Sequence, residues 1–255
     1  EGIEEAVALA KESDIVLMVL GEHGFQSGEG RSRTQLDLPG LQLQLLKEVY
    51  EVNKNVVLIL MNGRPLTIPW EAENIPAILE TWQLGTQTGN AIAEVVFGEY
   101  NPSGKLPMSF PRSVGQVPIY YNHYSTGRPD AQPTVFWSHY SDEKNTPLFP
   151  FGYGLSYTSF DYSDLKIDTS DPENIEVSVT ITNTGKIEGE EVVQLYIHDK
   201  VASVTRPVKE LKGFQKISLA PNNSKKVTFT LSDQELGFYN HDYEFVVEPG
   251  EFDVM

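Results

Sequence analysis

Hydrophobic periodicity changes midway along this chain, and few architectures satisfy both halves. In the first part three apolar runs show no alternation: Ile15 to Leu20, Val56 to Met61, and Ala77 to Thr81. Runs of that length, apolar on successive residues, fit strands buried on both faces. Between them, apolar residues recur at helical spacing over Ile3 to Ala10, over Leu41 to Val52 and over Thr86 to Phe97. Leu45, Leu46 and Val49 share one face of the second helix, and Gly98 stands where the third would stop. Buried strands separated by helices predict a mostly parallel sheet covered by helices, an α/β/α sandwich over residues 1–112.

Beyond Ser156 the pattern alternates. Glu176-Val-Ser-Val-Thr-Ile-Thr, Val192-Val-Gln-Leu-Tyr-Ile and Lys226-Val-Thr-Phe-Thr-Leu each place every second residue on one face. Turn signals separate them at Asn183-Thr-Gly, Ala220-Pro-Asn-Asn and Glu248-Pro-Gly. These half-buried strands predict an immunoglobulin-like or fibronectin type III-like β-sandwich over residues 156–255. Residues 113–155, rich in Pro, Gly and Tyr, read as an extended connector. The chain opens on Glu1 without an initiator Met and closes on Met255 within a strand-like stretch, so it is read as a piece of a longer protein.

A formal net charge of −17 repels phosphate backbones and anionic lipid, which argues against nucleic acid or membrane partners and favours a neutral substrate. No apolar run approaches the roughly 20 residues a membrane-spanning helix needs. The absence of cysteine excludes disulfide and thiolate chemistry, yet it fits cytosolic, periplasmic and secreted proteins alike. Oligomeric state is equally open, and a homo-oligomer is compatible with the sequence.

In open parallel sheets ligands bind beyond the carboxyl ends of the strands. The Gly-rich segment from Gly21 to Gly30 leaves the end of the first strand, which makes it the first place to look for chemistry. There Glu29 lies between two glycines, followed by Arg31 and Arg33. A carboxyl group on such a loop can swing over a cleft and act as a general acid where a partly apolar site raises its pKa. Spacing alone nevertheless favours a solvated surface loop. Glu22 and His23 are rivals nearer the strand end, where structural hydrogen bonding is the commoner role.

Other motifs fail on inspection. Gly98 to Lys105 resembles a phosphate loop, but five residues separate Gly98 from Gly104, and Leu106 stands where Ser or Thr is required. Gly154-Leu-Ser-Tyr-Thr lacks the closing glycine of a nucleophile elbow. The histidines at 23, 123, 139, 198 and 241 have no paired ligand spacing, so neither a metal nor another cofactor is expected. Tyr120, Tyr121, Tyr124, Phe136, Trp137 and Tyr140 could stack on sugar rings, although such clusters more often pin an irregular connector.

Several strings together resemble the bacterial β-glucosidases of glycoside hydrolase family 3. They are Gly21-Glu-(x)6-Glu-Gly-Arg-Ser-Arg, Leu60-Met-Asn-Gly-Arg-Pro-Leu, Ala77-Ile-Leu-Glu-Thr-Trp, and Phe97-Gly-Glu-Tyr-Asn-Pro-Ser-Gly-Lys-Leu-Pro-Met-Ser-Phe-Pro-Arg. Pro150-Phe-Gly-Tyr-Gly-Leu-Ser-Tyr-Thr-Ser-Phe and Arg206-Pro-Val-Lys-Glu-Leu-Lys-Gly-Phe carry the likeness into the second half. The resemblance implies an α/β sandwich domain and a fibronectin type III-like domain that follow a (β/α)8 barrel carrying an aspartate nucleophile. It implies that Glu29 matches the general acid/base, with Glu22 a minor alternative, and that the partners are a β-glucoside or oligosaccharide substrate and the N-terminal barrel. Arg31 and Arg33 would position the loop or hold Glu29 between turnovers. Two readings compete with an enzyme portion: a non-catalytic carbohydrate-binding or scaffold module of the same fold, and a barrel-less subunit that docks on another protein.

Overall fold

The computed structural model describes residues 2–126, 128 and 138–255, and the chain divides into two compact units. Phe136 and Trp137 of the aromatic cluster lie outside the described residues.

The first unit comprises Glu1–Phe97, Met108–Ile119 and Glu143–Pro150. Its elements alternate: α1 (Gly2–Lys11), β1 (Val16–Gly21), α2 (Gln42–Val52), β2 (Val56–Met61), α3 (Pro69–Asn74), β3 (Ala77–Glu80) and α4 (Thr88–Val96). The three strands form a parallel sheet in the order β1-β2-β3, with Val16 beside Val56 and Val57 beside Ala77. β2 is central and its Leu58, Ile59 and Leu60 are all buried, which explains its unbroken apolar run. Leu46 and Val49 of α2, with Leu66, Ile68 and Phe110, complete the core. Burial on both faces is a property of β2 alone. On the edge strand β1, Met18 is buried while Leu17 and Val19 are 46% and 55% exposed.

The second unit comprises Gly98–Pro107, Tyr120–Asp142 and Phe151–Met255. It holds β4 (Phe160–Asp168), β5 (Ile175–Asn183), β6 (Gly189–Asp199), β7 (Glu210–Leu219), β8 (Ser224–Leu231), α5 (Asp233–Leu236), β9 (Phe238–Tyr239), β10 (Phe245–Val246) and β11 (Phe252–Val254). Two antiparallel sheets, β4-β5-β8 and β11-β6-β7, enclose a core of Val177, Ile181, Val193, Leu195, Ile197, Ile217, Val227 and Leu231. In β6 burial alternates residue by residue, as period-2 patterning requires.

Packing divides the chain differently from sequence order. Residues 98–107 follow α4 directly, yet they lie against the β-sandwich. The Tyr100 hydroxyl donates to Glu190 at 3.0 Å, and Asn101 Nδ2 donates to the Glu188 carbonyl at 3.0 Å. Asn101 Oδ1 accepts from the Ser156 hydroxyl and the Tyr157 N–H. Lys105 pairs with the largely buried Glu191 at 3.0 Å and donates to the Gly154 carbonyl. The failed phosphate loop is therefore a strap on the sandwich. The connector splits likewise. Tyr121 stacks on Phe151 at 4.2 Å and meets Tyr196 edge-on, whereas Gln116 accepts from the Arg112 N–H and donates to the Lys144 carbonyl within the first unit.

Candidate active site

The carboxyl ends of the three parallel strands are tied to one another. The Glu22 N–H donates to the Met61 carbonyl at 2.8 Å, and Thr81 donates to the Leu60 carbonyl through both its N–H and its hydroxyl. Gly21 ends β1 at φ +141, and an added Cβ would stand 2.0 Å from the Met61 carbonyl oxygen, so only glycine fits. The Gln42 side-chain amide grips Gly21 from the other side, accepting from its N–H at 2.7 Å and donating to its carbonyl at 2.9 Å. The loop that follows β1 thus departs from a rigid base.

Glu22 faces inward. Its side chain is 0% exposed, and Arg33 and Arg64 each approach its carboxylate at 3.0 Å. It also accepts from the Gly63 N–H at 3.3 Å. A buried carboxylate survives only when paired in this way. Arg33 additionally donates to the Asp37 carbonyl at 2.9 Å. Neither partner leaves Glu22 free to meet a substrate.

Glu29 occupies the opposite situation. The Arg31 N–H donates to the Gly28 carbonyl at 3.1 Å, closing a turn with Glu29 and Gly30 at its two corners. Gly30 sits at φ +67, the left-handed conformation that the third position of such a turn demands. Gly-Glu-Gly therefore places the carboxylate at an exposed tip. Among the described residues no hydrogen bond or ion pair engages it, and Arg33, a proposed holder, is committed to Glu22 and Asp37. Arg31 contributes backbone: its N–H closes the turn, and its carbonyl accepts from Arg64 Nη2 at 2.8 Å.

Arg64, which the sequence shows only within the string Leu60-Met-Asn-Gly-Arg-Pro-Leu, reaches three parts of the loop. Its guanidinium binds Glu22 and donates to the carbonyls of Gln26 and Arg31. Beside it, Ser27, Gly28, Gly30, Arg31, Ser32, Gly63 and Arg64 line a wide, open concavity of about 450 Å³. Behind it, Asn62 is wholly buried and donates to the Arg64 carbonyl at 2.8 Å and to Glu80 at 3.2 Å. Burial pushes the Glu80 carboxyl up to about 7, against the lowering effect of the hydrogen bonds from Trp82 N–H and Asn62. Among the described residues no group of three His, Asp or Glu side chains is arranged to hold a metal ion.

The fold is an α/β unit with a Gly-rich loop at the carboxyl edge of its parallel sheet, joined in sequence to an antiparallel β-sandwich. The chain belongs to glycosyl hydrolase family 3: residues 1–157 match its C-terminal domain, and residues 191–255 match a fibronectin type III-like domain. It is 49% identical to a periplasmic β-glucosidase of Salmonella typhimurium over 99% of this chain and 34% of that protein. It is likewise 49% identical to a β-xylosidase of Formosa agariphila, over 100% of this chain and 35% of that one. The crystal structure of a β-glucosidase from Listeria innocua in complex with glucose superposes with a TM-score of 0.93 at 44% identity, covering 98% of this chain and 36% of the other. The chain thus spans about a third of the length of the relatives it matches.

Proposed function

We propose that this chain is the C-terminal portion of a retaining β-glycosidase acting on terminal β-D-glucosyl or related residues, and that Glu29 is its general acid/base. The observation that carries the reading is the contrast between the two loop carboxylates: Glu22 is sealed beneath two arginines, and Glu29, at the exposed tip, has no partner among the described residues. Relatives named as β-glucosidases and β-xylosidases over the same stretch support the substrate class without separating glucose from xylose.

Retaining hydrolysis uses two carboxyl groups roughly 5 Å apart. An aspartate of an N-terminal barrel attacks the anomeric carbon while the Glu29 carboxylic acid gives its proton to the departing glycosidic oxygen. The aglycone leaves as an alcohol, and a glycosyl ester remains. The Glu29 carboxylate then takes a proton from water, whose oxygen attacks the anomeric carbon and releases both sugar and aspartate. The loop tip suits both half-reactions, because the same oxygen must meet first the leaving group and then water.

The test is Glu29→Ala in the full-length protein, assayed with one poor and one good leaving group. Loss of general acid catalysis lowers turnover of an alkyl β-glucoside by about 10²- to 10⁴-fold. A dinitrophenyl β-glucoside needs no proton to depart, so its glycosylation step is spared, and azide restores turnover as a β-glycosyl azide. Small, equal losses on both substrates with no effect of azide would overturn the assignment.

A further inference from the structure

We infer that Arg64 is a positioning residue for Glu29, acting as a clamp that fixes both ends of the segment carrying it. This rests on the reading of Glu29 as the acid/base. Arg64 Nε faces the Glu22 carboxylate, 3.0 Å from Oε1 and 3.2 Å from Oε2. Nη2 donates to two carbonyls, those of Gln26 and Arg31, and residues 27–30 lie between them. Because the two carbonyls converge on one nitrogen, the span of the loop is set by a single rigid group. The planar guanidinium presents its donors in a fixed fork, which an ammonium cannot reproduce.

The clamp is itself held. Asn62, wholly buried, donates to the Arg64 carbonyl, and Pro65 follows with its restricted φ. At Gly63 an added Cβ would lie 1.9 Å from Ser27 Oγ, so the turn carrying Arg64 and the loop carrying Glu29 run in direct contact. Acid catalysis is sensitive to such placement, since a shift of about 1 Å in a reacting group can lower a rate by about 10²-fold. Removing Arg64 does not strand Glu22, because Arg33 remains 3.0 Å away. The expected consequence is a fold that survives around a loosened tip.

The experiment compares Arg64→Ala, Arg64→Lys and Glu29→Ala in the full-length protein, with alkyl and dinitrophenyl β-glucosides and a thermal melt of each. Arg64→Ala should lower kcat/KM on the alkyl substrate by about 10- to 100-fold and lower kcat/KM far less on the dinitrophenyl substrate, whose glycosylation step needs no proton donor. Arg64→Lys keeps a cation near Glu22 and restores the melting temperature, yet it should retain the leaving-group defect, because an ammonium paired with the Glu22 carboxylate cannot also reach the two carbonyls that Nη2 holds. Equal losses on the two substrates, or a leaving-group effect abolished by lysine, would reduce Arg64 to an ordinary structural cation. If Arg64→Ala does not fold, Arg64→Lys alone decides. If Glu29→Ala shows the leaving-group effect and both Arg64 variants lack it, the clamp fails and the acid/base reading stands. If Glu29→Ala lacks it, the reading of Glu29 fails, and the clamp with it.

Discussion

Two glutamates seven residues apart have opposite fates, and the difference lies in what surrounds each carboxylate. Glu22, at the strand end, is buried and doubly paired, while the glycines around Glu29 turn it outward. The sequence shows both candidates and the glycines between them, but it does not show Arg64, which acts from more than thirty positions away. No local pattern marks an arginine whose acceptors are main-chain carbonyls. Gln42 is hidden for the same reason. A third glutamate yields a pH prediction. Glu80 has its pKa raised from 4.5 to about 7, chiefly by burial. Below pH 4.5 it is protonated folded or unfolded and carries no penalty. As pH rises to about 7 the unfolded chain ionises while the folded one holds its proton, so stability falls by up to about 3 kcal/mol and then levels. Glu80→Gln removes this dependence. Its melting temperature relative to the parent should climb between pH 4.5 and 7 and stay flat above, and a difference independent of pH would refute the assignment.

At the scale of elements, the sheet was legible because burial on both faces leaves an unbroken apolar run: Val56 to Met61 is β2 to the residue. β4 and β7 escape the alternation rule, since most of β4 is exposed, and β7 carries Gly213 opposite a register shift beside Leu195. α3 escapes because six residues starting at Pro69 are too few to show a period. The junction between strand and loop is more constrained than either neighbour. At Gly21 an alanine would have to hold φ +141 and bring Cβ to within 2.0 Å of a carbonyl oxygen in β2, and main chain cannot yield as a side-chain tip does. Gly21→Ala should therefore destabilise the first unit by more than about 2 kcal/mol, read from the urea midpoint. At Gly30, where an added Cβ meets nothing within 4 Å, alanine should cost only about 1 kcal/mol for the left-handed φ. Equal losses at the two positions would contradict this account.

At the scale of the molecule, the chemistry proposed for this chain needs a partner for Glu29 that the described residues around it do not offer. A retaining mechanism requires a second carboxylate about 5 Å from the acid/base. Around the concavity beside Glu29 the lining side chains are serines and arginines, interspersed with glycines, and the nearby Glu22 is sealed by its two arginines. None of the described side chains that line it is a carboxylate free for attack on an anomeric carbon. The sandwich unit draws its carboxylates into packing: Glu191 pairs with Lys105 and accepts from Tyr162, and Glu190 binds Tyr100 and Lys216. These contacts hold residues 98–107 to that unit. The chain alone should thus fold, as judged by a cooperative melt, yet fail to hydrolyse even a dinitrophenyl β-glucoside, which requires a nucleophile but no proton donor. The full-length protein should hydrolyse it. Turnover by the isolated chain, abolished by Glu29→Ala, would mean that a nucleophile lies within these 255 residues and that the division of labour proposed here is wrong.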